Sequence, residues 1–142
     1  MALGFASPRR QEPPDYSQRQ RVLLVEPDGR DRQYYCSVLE REGFEVCACA
    51  SYSEGDRCLQ NGPLDFVVIN QGSRAFEGRS LLEQVLAIDR HIPVVVLTHS
   101  VDMPCYLEAM QLGAVDYLEK PLSSDEVIRV VETHLRPRVG CA

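Results

Sequence analysis

The chain of 142 residues has no tryptophan, and of its 15 basic residues only Lys120 is a lysine. No apolar run approaches the about 20 residues needed to cross a bilayer. The opening stretch, MALGFASPRRQEPPDYSQRQ, lacks the continuous apolar core of a secretion signal. Basic charge is in deficit: 15 basic against 21 acidic residues leave a net charge of -6, which provides no general basic face for a nucleic-acid backbone. Missing as well are GxGxxG, GxxxxGK[ST] and any defensible Ser/His/Asp order. These absences predict a cytoplasmic protein that is not an enzyme and makes no direct contact with nucleic acid or membrane. The six cysteines (Cys36, Cys47, Cys49, Cys58, Cys105 and Cys141) show no CxxC pair and no histidine at zinc-finger spacing. They are expected as thiols filling small apolar core positions, with a metal or redox role as the alternative. Cys47 and Cys49 alternate on a predicted strand and so share one face.

What is present is an alternation of two periods. Residues 1–20 read as a flexible arm, interrupted by Pro8, Pro13 and Pro14, and 137–142 as a flexible tail. Between them RVLLV (21–25), FEVCAC (44–49), FVVI (66–69), IPVVVLT (92–98) and AVDYL (114–118) have the apolar, β-branched character of strands covered on both faces. Helices are predicted near 30–42, from Ser51 to about Asn61, 79–90, 103–112, and after Ser123. Gly43, Gly62-Pro63 and Gly113 are placed to stop helices. Ser51 with Glu54 and Ser123 with Glu126 have capping-box spacing, and Asp102 can cap the fourth helix. Five βα units with strands this apolar predict an α/β fold, a three-layer doubly wound five-stranded parallel sheet. Chemistry on such sheets gathers at the carboxyl ends of the strands. That singles out Glu26, Pro27, Asp28, Asn70, Thr98, His99 and Lys120.

Taken together, VLLVEPD, LDFVVIN, VVVLT and above all GAVDYLEKP resemble the receiver domain of bacterial two-component response regulators, over residues 21–136. The resemblance implies a flavodoxin-like (βα)5 fold of strand order 2-1-3-4-5 and a role in phosphorelay signalling. In that family an aspartate at the end of the third strand takes phosphate from a histidine kinase. Acids after the first strand hold Mg2+, and a hydroxyl and a lysine contact the phosphoryl group. An aromatic residue on the fifth strand acts as a switch. Carried over by position, the hydroxyl is Thr98, the lysine Lys120 and the aromatic Tyr117. A tight Lys120–Pro121 turn has the cis option open to proline.

The acidic half departs from the pattern. Asn70 stands at the phosphoacceptor position, Pro27 at the position of an acid expected to touch the metal, and Glu26 at that of a shorter acid. Glu26 and Lys120 sum to zero charge, and Asp28 turned inward would bring the sum only to -1. Mg2+ is therefore expected to bind weakly at best, through Glu26 and Asn70, and no cofactor is expected. Glu26 is predicted to reach Lys120, with Asn70 hydrogen-bonded beside them. His99 is expected to be a steric plug or a solvated side chain.

The reading that follows is an atypical receiver, a pseudo-receiver that binds protein independently of phosphorylation. One alternative is a phosphorelay regulator phosphorylated at another acid such as Asp28. The other is a small-ligand or nucleotide binder. The expected partner is another signalling protein, a histidine kinase or a downstream effector. A homodimer through helix 4, strand 5 and helix 5 is also open. Met103, Tyr106, Met110 and Tyr117 lie in or near that face, and were the chain complete, output would pass through another protein.

Overall fold

The computed structural model describes residues 19–135. The predicted arm, except for Arg19 and Gln20, and the predicted tail lie outside them. Five strands alternate with five helices: β1 Arg21–Val25, α1 Gly29–Arg41, β2 Glu45–Cys49, α2 Tyr52–Leu59, β3 Phe66–Asn70, α3 Arg79–Ile88, β4 Val94–Thr98, α4 Met103–Leu112, β5 Asp116–Glu119 and α5 Ser124–His134. The sheet is parallel throughout, with order β2-β1-β3-β4-β5. The chain leaves β1 for β2 on one side and returns to β3 on the other, which opens a crevice at the carboxyl ends of β1 and β3.

Alternation along each strand feeds two cores. Leu23, Val25, Val67, Ile69, Val94 and Val96 pack with Cys58 of α2, Leu81, Leu82 and Val85 of α3, and Cys105 and Ala109 of α4. Val22, Leu24, Phe66, Val68, Val95 and Leu97 pack on the opposite face with Tyr35, Val38 and Leu39 of α1 and Val127 and Val131 of α5. Because both faces are covered, β3 and β4 are buried at every position.

Caps form where side-chain chemistry allows them. Asp28, Ser51, Asp102 and Ser123 each accept a backbone N–H at a helix start, and Ser123 and Glu126 close a full capping box. Gly113 ends α4 in the left-handed region, φ 117°.

Two strands begin later than their apolar runs suggest, and backbone bonding explains both. The Ala114 N–H is spent on Ala109 of α4, so β5 starts at Asp116. The Ile92 N–H is spent on Asp89 and Pro93 has none, so β4 starts at Val94.

One expectation is overturned. Cys47 of β2 and Cys58 of α2 are joined in a disulfide rather than standing as separate thiols. Strand alternation turns Cys47 toward α2, and the inner face of that helix brings Cys58 to meet it. Cys36, Cys49 and Cys105 are free thiols.

Candidate functional site

The site is built on the ends of β1, β3, β4 and β5. β1 delivers Glu26, whose N–H donates to the Cys49 carbonyl at 3.0 Å and whose side chain is only 2 % exposed. β5 delivers Lys120, held by its N–H on the Thr98 carbonyl at 2.7 Å and followed by a cis peptide to Pro121. The ammonium, also 2 % exposed, donates to Glu26 Oε1 at 2.7 Å and to Asp31 Oδ2 at 2.9 Å. The second Glu26 oxygen accepts the Asp28 N–H at 3.1 Å, so both carboxylate oxygens are engaged. Arg32 closes the turn by donating to the Glu26 carbonyl at 2.9 Å.

Burial alone would lower the Lys120 pKa. The hydrogen bonds and charges of Glu26 and Asp31 outweigh it, and the net shift is upward. The lysine is therefore a fixed cation. Counting Glu26, Asp31 and Lys120, the local charge is -1.

This geometry shows the Glu26–Lys120 pair, answers which way Asp28 turns, and corrects the expectation for Asn70. Asp28 does not turn inward: it is exposed and caps α1, accepting the Asp31 N–H at 3.0 Å. That bond holds its pKa below the ordinary carboxylate value, with burial working weakly against it. The second acid at the lysine is Asp31, which sequence reading missed. Its position one turn after the cap, on the helix that starts beside β1, was the available signal. Nor does Asn70 hydrogen-bond beside the pair: its Oδ1 is buried and has no hydrogen-bond partner among the described residues. Its backbone carbonyl instead accepts the Tyr52 hydroxyl at 2.8 Å. Confinement in the core raises that tyrosine's pKa to about 12.

Next to Asn70, Gln71 is the other buried polar residue that the sequence did not single out. Its N–H donates to Leu97 at 2.7 Å and its Nε2 to the Ser73 carbonyl at 3.1 Å, while its Oε1 accepts a close hydrogen bond from the Tyr117 hydroxyl. Tyr117 is thus turned inward, and its oxygen also accepts the Asp102 N–H at 3.1 Å. Thr98 is buried, donating to the Ser100 carbonyl at 2.8 Å. His99 is a solvated side chain rather than a plug: it is 69 % exposed, with Nε2 3.6 Å from Asp31.

The expected partner face divides. Met103 at 58 % and Tyr106 are open to solvent, joined by Val101 and Leu107. Met110 packs against the core, and Tyr117 lies beneath Tyr106 with ring centroids 5.5 Å apart. No helix among the described residues is long and apolar enough to cross a membrane.

A five-stranded parallel sheet of this order, carrying an acid after β1, a hydroxyl at the end of β4 and a lysine before proline after β5, defines a receiver-type signalling domain. Residues 22–132 match the response regulator receiver domain family, and the chain belongs to that family. Relatives include the transcriptional regulatory protein FixJ of Azorhizobium caulinodans, 32% identical over 80% of this chain and 54% of its own length. Another is the C4-dicarboxylate transport transcriptional regulatory protein DctD of Pseudomonas aeruginosa, 31% identical over 82% of this chain and 25% of its own. This chain spans between about a quarter and just over half the length of such relatives. Among solved structures, a CheY-like receiver protein from Methanospirillum hungatei superposes with a TM-score of 0.76 at 22% identity, covering 82% of this chain and 93% of that one. The receiver domain of NtrX from Brucella abortus gives 0.71 at 26% identity, covering 80% and 97%. The molecule is a receiver domain of the two-component response-regulator type.

Proposed function

We propose that this receiver is a protein-docking module whose state is not set by aspartyl phosphorylation. The observation that carries the reading is the closed arrangement Glu26–Lys120–Asp31 beside an amide at position 70. Phosphoryl transfer depends on positioning and on charge stabilisation of an attacking oxygen. The amide nitrogen of Asn70 is not a nucleophile, and its carbonyl oxygen is far weaker than a carboxylate. The lysine that would meet an incoming phosphoryl group already has two internal anions.

The residues also fit Mg2+ poorly. That ion demands near-octahedral oxygen ligands, usually including carboxylates. Pro27 supplies no side-chain oxygen, both Glu26 oxygens are committed, and the ammonium sits between the two acids. Phosphorylation at Asp28 is disfavoured because that carboxylate serves as a helix cap. Among the described residues the open apolar surface of Val101, Met103, Tyr106 and Leu107 is the part of the expected face available to a partner. The partner class remains a signalling protein, a kinase or an effector.

The test is intact-mass analysis after incubation with acetyl phosphate and Mg2+. Wild type should gain no phosphate, Asn70→Asp should label weakly, and Asn70→Asp with Pro27→Asp should label better. A single phosphate on wild type that maps to the loop after β3 overturns the proposal. Efficient labelling of Asn70→Asp alone would show that an acid at position 27 is not needed to hold the metal.

A further inference from the structure

We propose that Cys47, Cys49 and Cys58, in their reduced form, are a binding site for one thiophilic d10 metal ion, with Cu(I) the best match. Cys47 and Cys49 project from one face of β2, the edge strand of the sheet, and Cys58 meets them from α2. The three sulfurs lie within 4.8 Å of one another, and Cys47 and Cys49 are separated by 3.8 Å. Three sulfurs held about 2.3 Å from one ion in a plane stand about 4 Å apart. Cys47 and Cys49 already have that spacing, and Cys47 and Cys58, bonded in the disulfide, must part to it on reduction.

The donor set selects the ion. Among the described residues no histidine or carboxylate joins the cluster, so every ligand it offers is a soft sulfur. A hard ion such as Mg2+ has nothing to bind. Zn2+ would lack the fourth ligand of a closed structural site, whereas Cu(I) is satisfied by three thiolates. Cys49 and Cys58 are 3 % and 2 % exposed, while Cys47 is half-buried and leaves a way in.

Charge is partly compensated. Arg21 Nη2 stands 4.0 Å from Cys58 Sγ. Burial, and Glu54 after it, hold the Cys49 thiol's pKa above its ordinary value, and Arg57 and Arg32 offset only part of that. A bound cation supplies what these arginines cannot.

The disulfide sets the condition for loading. A thiol or phosphine reductant transfers two electrons to the Cys47–Cys58 bond, and the two sulfurs take up two protons. One Cu(I) then replaces three thiol protons, which pass to solvent, forming three metal–sulfur bonds with no further change of oxidation state. The cluster adjoins the Lys120 site through the Cys49 carbonyl but shares no side chain with it, so the inference stands whether or not that site accepts phosphate.

The experiment is an anaerobic titration of the phosphine-reduced full chain with Cu(I) against a coloured Cu(I) chelator, with Zn2+ in a parallel arm. One equivalent of Cu(I) should be held against the chelator, with sulfur-to-metal charge-transfer absorption in the ultraviolet. Cys49→Ser and, separately, the more accessible Cys47→Ser should weaken binding by at least the about 10- to 100-fold that disturbing an outer-shell partner costs. Cys36→Ser should leave it unchanged, and circular dichroism checks that each variant is folded. Failure to retain Cu(I), retention insensitive to Cys49→Ser and Cys47→Ser in folded protein, equal loss in Cys36→Ser, or retention of Zn2+ without Cu(I) each overturns the assignment.

Discussion

A lysine buried to 2 % exposure must be paired, and Lys120 has Glu26 and Asp31. Removing the cation strands the equally buried Glu26. Lys120→Met should therefore cost about 3–5 kcal/mol in urea unfolding, whereas Lys120→Met with Glu26→Gln should recover much of that loss. The pH dependence follows from the upward shift. A group whose folded pKa is raised contributes fully below its unfolded value, about 10.4 for lysine, and loses the contribution as pH rises through the folded value. Tyr52, raised to about 12, acts with the same sign. Wild type should accordingly lose stability above about pH 10. Lys120→Met should lose less over that range, and the difference between the two urea-midpoint profiles isolates the lysine. Identical alkaline slopes would contradict the pairing.

At the scale of elements, local propensity and packing can point in opposite directions. Gly55 lies inside α2, where exchange for alanine ordinarily gains about 1 kcal/mol of helix propensity. A Cβ there would fall 2.8 Å from Leu81 Cδ2 and 3.0 Å from Val25 Cγ2, inside a buried contact between α2, α3 and β1. Overpacking costs about 1–3 kcal/mol, so Gly55→Ala should destabilise despite the better helix former; a raised melting temperature would refute the tight contact. At the start of α4, Asp102 accepts the Cys105 N–H at 3.1 Å, and Asp102→Ala should lower stability by about 1 kcal/mol in the same assay. The pairing of β2 with α2 through sulfur is also an element-scale fact. The period-2 pattern foretold that Cys47 and Cys49 share a face, but could not say which helix side chain would meet them.

The whole molecule is one sheet with a core on each side, and the strands belong to both. Leu82 anchors the core under α3 and Leu39 the one under α1, both fully or almost fully buried. Leu82→Ala and Leu39→Ala should each cost about 2–5 kcal/mol. Because the two cores share their strands, each variant should still unfold in a single transition, with fluorescence and far-ultraviolet dichroism coinciding. Separate transitions for the two faces would contradict the shared sheet. The fold was legible because its signals are local and repeated: apolar runs, caps at Asp102 and Ser123, and a glycine at 113. Strand boundaries at β4 and β5 were less so, since they depend on whether Ile92 and Ala114 spend their N–H groups on neighbouring turns.

The sequence by itself determined the five βα units, the covered sheet and the identity of the strand-end residues, because periodicity and capping act over a few neighbouring positions. It also fixed the chemistry at position 70, where an amide stands whatever the fold does. Only the tertiary structure decided that Asp31 rather than Asp28 reaches Lys120, that Asn70 Oδ1 finds no partner, that Gln71 holds Tyr117 inward, and that three sulfurs converge. Those outcomes depend on side chains up to 89 positions apart in the chain. Their distances are set by how helices seat on the sheet, and no local pattern carries that information.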